Sequence, residues 1–176
     1  VTMRASFGAR TSPTYENDVN SLVDWQGYAL YPGCVVTRNV GAGELYATIQ
    51  AGVNAVPASL TGHSCVVIRD GATYAEQVTV KNFTNNGSSI TIFADPGTGL
   101  KPVVSPPATS TAAFLIANAS VNVQGISIRV TQNIPYGIYA SSSYVTLSSV
   151  AVSTSGGLGI YMAGVRISSW SAISSS

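Results

Sequence analysis

The sequence predicts an all-β fold, a right-handed single-stranded parallel β-helix with a short N-terminal capping helix, on three observations. Short β-rich bursts separated by Gly, Asn, Pro and Ser follow one another from Cys65 onward. Two alternating triplets, Val121-Asn-Val123 then Ile126-Ser-Ile128, return as Val145-Thr-Leu147 then Val150-Ala-Val152, and again as Val165-Arg-Ile167 then Trp170. Between copies, Gly137-Ile-Tyr139 returns as Gly159-Ile-Tyr161, so each copy holds three short strands in roughly 20 to 25 residues, one coil of a solenoid. An antiparallel sandwich also yields many short strands, but hairpin signals are sparse and a sandwich does not require such repeats.

Residues 1–40 mix charged, Pro and aromatic residues without a period and read as an irregular leader that lies against the core, with Leu22, Val23, Trp25, Tyr28, Leu30 and Tyr31 as its apolar cluster. Gly41-Ala-Gly43 breaks the chain, and residues 41–176 form the β-helix. Ile49, Val53 and Val56, at spacings of four and three, predict a helix near residues 46–56, N-capped by Thr48 and stopped by Pro57. Strands are expected at Cys65–Ile68, Gln77–Val80, Ser89–Phe93, Pro102–Val104 and Phe114–Ile116, and in the repeats, for about five coils in all. Val121, Val145 and Val165 should form one inward ladder and Ile128 with Val152 another, leaving Asn122, Thr146 and Arg166 outward. Right-handedness follows from the preferred hand of parallel crossovers.

Charged residues make up only 9% of the chain, against roughly 25% in ordinary soluble domains, so the surface is rich in hydroxyl and amide groups. A net charge of +1 with no basic run excludes nucleic acid and anionic lipid as expected partners. No apolar run is long enough to insert in a membrane, and the start lacks the basic and apolar regions of an export signal, which is expected to have been removed or to lie outside this sequence. Cys34 and Cys65 each open a Cys-Val-Val string. They are read either as two small buried thiols or as a disulfide.

The stretch Tyr46-Ala-Thr-Ile-Gln-Ala-Gly-Val-Asn-Ala-Val-Pro57, followed by Cys65-Val-Val-Ile-Arg-Asp-Gly-Ala-Thr-Tyr-Ala-Glu-Gln-Val-Thr-Val80, resembles the opening of pectin-lyase-like β-helix proteins, most of all the pectin methylesterase branch. The resemblance implies a helix capping the solenoid and a Gly, Tyr, Glu, Val pattern after it, met here by Gly71, Tyr74, Glu76 and Val78. Two residues separate Gly71 from Tyr74 where the esterases usually have one, and the likeness covers about residues 41–130. The esterases' later Gln-rich, Asp-containing and Arg-Pro-Trp-like segments have no counterpart.

Carbohydrate chemistry needs paired carboxylates, or a calcium-binding carboxylate cluster beside a base. All seven carboxylates lie within the first 95 residues. Asp70-Gly71 and Asp95-Pro96-Gly97 are turn signals, and Glu76 is expected to make a surface ion pair with Arg69 or Lys81. His63, the single histidine, cannot assemble a zinc site and reads as a surface residue rather than half of a Ser-His pair. Asn82, Asn86 and Asn118 open glycosylation acceptor patterns. Tyr136, Tyr139, Tyr144 and Tyr161, with Trp170, could stack on sugar faces; the plainer reading makes Tyr139 and Tyr161 a ladder on the solenoid.

Together these readings give no catalytic residue, no metal ligand and no cofactor. They predict a non-catalytic structural or adhesive module, secreted or at a cell surface, with a carbohydrate-active enzyme of the pectin esterase or lyase type and a glycan-binding module as alternatives. The third repeat runs into Ser174-Ser-Ser176 without a polar cap. An open coil end is therefore expected, belonging to a longer solenoid or docking head to tail on another copy of the chain, with surface glycan as the other partner.

Overall fold

The computed structural model describes residues 33–130, 134–154, 163–168 and 172–175. Strand β1 (Val36–Val40) and helix α1 (Ile49–Asn54) come first. The first complete coil is β2 (Ser64–Ile68), β3 (Thr73–Tyr74) and β4 (Val78–Lys81). The second is β5 (Ile90–Ala94), β6 (Val103–Val104) and β7 (Ala112–Ala117). The third is β8 (Ser120–Gln124), β9 (Ser127–Val130) and β10 (Tyr136–Ser141). The fourth is β11 (Tyr144–Ser148), β12 (Ala151–Thr154) and β13 (Ala163–Ser168), after which β14 (Ala172–Ser175) begins another turn. Three sheets result: sheet 1, β1-β2-β5-β8-β11-β14; sheet 2, β12-β9-β6-β3; and sheet 3, β13-β10-β7-β4.

The predicted parallel β-helix is thus the fold, with four complete coils where the spacing suggested about five, because β1 and β14 each add only one strand to sheet 1. Sheet 1 also begins earlier than expected. Val36–Val40 pairs in parallel with Ser64–Ile68, so the end of the stretch read as leader is a strand of the solenoid. Alternation in β1, with Val40 fully buried, supplies the inward face that the charged Arg38 obscured in the sequence.

Inward side chains stack coil on coil, as parallel pairing with a period of two requires. Val66, Ile92 and Val123 form one such column in sheet 1, Tyr74, Val104 and Ile128 one in sheet 2, and Val78, Phe114 and Ile138 one in sheet 3. The ladders Val121–Val145 and Ile128–Val152 form as expected. Val165 does not continue the first of them. It pairs with Ile138 in sheet 3, while Ile173 takes the position beside Val145. The third copy of the repeat therefore belongs to sheet 3 rather than sheet 1, because Val165-Arg-Ile167 and Ala172–Ser175 have similar alternation and only the register distinguishes them.

Sharp corners between sheets are made by single left-handed residues. Asn82, Asn118 and Ser142 have φ of 60°, 50° and 49° at the corner from sheet 3 to sheet 1, and Gly125 and Ser149 have φ of 67° and 53° from sheet 1 to sheet 2. Asn tolerates this region and Gly enters it without penalty, whereas Ser pays about 1–2 kcal/mol. Ser149→Gly, which copies the preceding coil's Gly125, should therefore raise stability by about 0.5 kcal/mol, once the extra freedom of Gly in the unfolded chain is subtracted. A urea titration checks this, and an unchanged or lower midpoint would mean that the corner carries no such strain.

Helix α1 covers the N-terminal end of the coils with Ile49, Gly52 and Val53 inward. Thr48 is its N-cap, accepting from Ala51 N at 3.1 Å, and Ala55 its C-cap, directly ahead of Val56 and Pro57. Arg38 Nε donates to Ala55 O at 3.0 Å and places a cation at the helix's negative end. Gln50 acts as a short piece of strand: its Oε1 accepts from Thr79 N and its Nε2 donates to Thr79 O, satisfying the outer edge of β4.

Candidate functional site

The three candidate carboxylates each hold backbone in place. Asp70 follows β2, where its Oδ1 accepts from the Tyr74 hydroxyl at 2.8 Å and from Ala72 N at 3.1 Å, and its Oδ2 accepts from Ala42 N at 2.8 Å. Partial burial pushes its pKa up, but the three donors together outweigh burial and hold the carboxyl below its ordinary value. Burial and the same hydrogen bond push the Tyr74 hydroxyl far above the usual phenol range.

That depression of the Asp70 pKa fixes a pH dependence. A carboxyl with a lowered folded pKa stabilises the fold above its unfolded value, about 3.8, and loses that contribution as pH falls through the lower folded value. Asp70→Asn should therefore cost about 1 kcal/mol at neutral pH, modest because the turn is partly solvated, and progressively less below pH about 4. Urea midpoints of both proteins measured across that range check it; a difference independent of pH would assign the loss to shape rather than charge.

Glu76 overturns the expected surface ion pair. Its Oε1 accepts from Ile49 N at 2.8 Å and its Oε2 from Gln50 N at 3.0 Å, so the carboxylate caps α1 from the first coil. Burial raises its pKa more than these two donors lower it. Asp70, Tyr74 and Glu76 share a depression of about 340 Å³ beside Gly41 and Thr48. An acid and a base with opposite shifts in one hollow have the outline of a catalytic pair, but all four carboxylate oxygens already accept from backbone or Tyr74. Arg69 turns instead toward Asp95, with Nε 4.0 Å from Oδ2 and both side chains buried. Asp95 Oδ1 also accepts from Gly97 N at 2.8 Å, the turn its sequence predicted.

His63 is exposed, as expected, but it links two coils. Its Nδ1 accepts from Ser89 N at 3.1 Å, which leaves the proton of the neutral ring on Nε2. Ser89 Oγ also lies 3.1 Å from Nδ1 and accepts from Asn122 Nδ2 at 3.1 Å. Ser89 is buried and the ring nitrogen facing it already has a donor, so the pair is built as a tie between coils rather than as a nucleophile and base.

Among the tyrosines, the structure brings together Tyr136 and Tyr139, half-buried on β10, with ring centroids 5.3 Å apart and planes tilted by 40°. Tyr144 is on β11 at 58% exposure. Tyr139 is in register with Leu115 and Arg166; Tyr161, its expected ladder partner, and Trp170 lie outside the described residues. Asn82, Asn86 and Asn118 are all exposed at left-handed corners, and Asn86 donates to Leu60 O at 2.9 Å. Cys34 and Cys65 form a disulfide, with Cα atoms 5.7 Å apart. Among the described residues no three His, Cys, Asp or Glu side chains cluster as a metal site, and no helix is long and apolar enough to cross a membrane.

No family model matches the chain, and no curated protein or solved structure matches it either. The roles of Glu76 and Gln50 had no local signal, because their partners lie 26 to 29 residues away. The one hint was the placement of a Glu on the first coil, directly below a helix start that lacks an acidic residue of its own.

Proposed function

We propose that this chain is a non-catalytic, extracellular structural or adhesive module, a rigid β-helical segment of a secreted or surface protein. The observation that carries this reading is the engagement of Asp70, Glu76 and Asp95 in turns, a helix cap and a buried ion pair. A polysaccharide hydrolase, esterase or lyase needs such groups turned toward substrate. The Cys34–Cys65 disulfide fits an oxidising compartment. The likeness of residues 46–80 to pectin-lyase-like proteins supports descent from that superfamily with loss of its chemistry. At the C-terminal side, β12, β13 and β14 are the last strands of their sheets, and their backbone edges suit further coils or a second copy stacked head to tail.

Incubation of the purified chain with methyl-esterified and de-esterified pectin, followed by assays for methanol, reducing ends and unsaturated products, tests the reading. No turnover is expected, together with concentration-dependent rods in light scattering and negative-stain images. Turnover abolished by Glu76→Gln or Asp70→Asn in a folded protein would replace it with the carbohydrate-active alternative. The Tyr136–Tyr139 pair favours glycan binding as the adhesive mode, since two tilted, half-exposed rings can cover the apolar face of a sugar. Glycan-array binding lost in Tyr139→Ala would support that mode, and an array without signal for the parent chain would remove it.

A further inference from the structure

The outward face of sheet 1 changes character along the solenoid. Over β8 and β11 it carries Asn122, Gln124, Thr146 and Ser148, all at least partly exposed. Over β2 and β5 it is apolar: Cys65, Val67 and Phe93 form a cluster separate from the interior core, and among described residues Cys34 is the partly buried apolar side chain packed on it. Val67 exposes 0% and Phe93 6% of its surface, values that belong to an interior. Thr37 and Asn39, outward on the neighbouring β1, are buried too. Side chains on the outside of a solenoid reach such burial only beneath a covering layer.

Thr37 is in register with Cys65, and Cys34 lies three residues earlier. An extended chain would carry Cys34 about 10 Å past that register position, yet the two cysteine Cα atoms are 5.7 Å apart. The chain therefore bends at Val35, just before β1, and the disulfide holds Cys34 against the outer face of sheet 1. No charged residue lies between Asp24 and Arg38.

We propose that residues 22–31 dock on the outward face of sheet 1 over Val67 and Phe93, with the Cys34–Cys65 disulfide as their anchor. Leu22, Trp25, Tyr28 and Leu30 supply the apolar surface that the patch requires. A covalent tether a few residues away gives this segment an effective concentration in the millimolar range, which a second copy in dilute solution does not match. Docking keeps the Val67–Phe93 patch from solvent and leaves the adjoining groove of about 470 Å³, walled by Thr91, Pro96, Gln124 and Ser149, as its open continuation.

Hydrogen exchange on the full-length oxidised chain tests the proposal. Amides of residues 22–31 are expected to exchange at least about tenfold more slowly than an unstructured peptide, and to lose that protection in Val67→Ser/Phe93→Ser while β8 keeps its own. Random-coil exchange in the parent chain, or protection that survives in the folded variant, would overturn it. Should the variant fail to fold, a benzophenone side chain placed at exposed Gln124 of the otherwise native protein decides the matter. Crosslinks to residues 22–31 support the docking; crosslinks only elsewhere, or only between copies, reject it.

Discussion

Phe114→Ala should destabilise the protein by about 3–5 kcal/mol, the range for truncating a buried aromatic residue, and lower the melting temperature by about 6–20 °C in a chain of this size. Phe114 is fully buried at the centre of sheet 3, between Val78 of one coil and Ile138 of the next. Its removal opens a cavity that two neighbouring coils would both have to collapse to fill. The adjacent Leu115→Ala is the control, because Leu115 is half-buried on the outer face between Thr79 and Tyr139 and should cost less than about 1 kcal/mol. Thermal scans of the two variants test the register directly: equal losses would show that sheet 3 is not pinned with Phe114 inward.

Removing the disulfide should cost nearly as much. Cys34 and Cys65 are 31 positions apart, and closing a loop of that length in the unfolded chain corresponds to about 3.7 kcal/mol in the chain-entropy account. Cys34→Ala/Cys65→Ala should shift the urea midpoint by that order, as should reduction of the parent chain. Reduction without any shift would mean that the link contributes nothing beyond what β1 already gains by pairing with β2. Because cytosolic thiols stay reduced, a large effect would also tie folding of the module to an oxidising compartment.

Much of this fold was legible from residues that act locally. Thr48 as N-cap, Pro57 after the helix, and the turns at Asp70 and Asp95 are each decided within four positions of the chain, where side-chain chemistry dictates backbone conformation. The 24-residue offset that places Tyr144 beside Ser120 was visible because consecutive coils repeat their alternation. Features set by register between coils were not legible. The assignment of Val165 to sheet 3, the entry of β1 into sheet 1 and the capping of α1 by Glu76 all depend on which strand lies beside which, and alternation alone is the same in every sheet. For the site, composition had already drained the C-terminal half of carboxylates, and geometry added that Asp70, Glu76 and Asp95 accept from backbone donors.

The amide of Gln50 has one further consequence. By occupying both hydrogen-bonding groups of Thr79, it makes one rim of the solenoid chemically unlike the other, so the stack has a direction. In a nearly one-dimensional molecule whose coils touch only their neighbours, opening starts where a coil is held from one side alone. Where no further coil or second copy covers the rim formed by β12, β13 and β14, local unfolding should run as a zipper from that rim toward α1, with amide protection rising coil by coil along that path. Heat or force would then fray the chain progressively from that rim, and covering the rim with another coil would hold it closed.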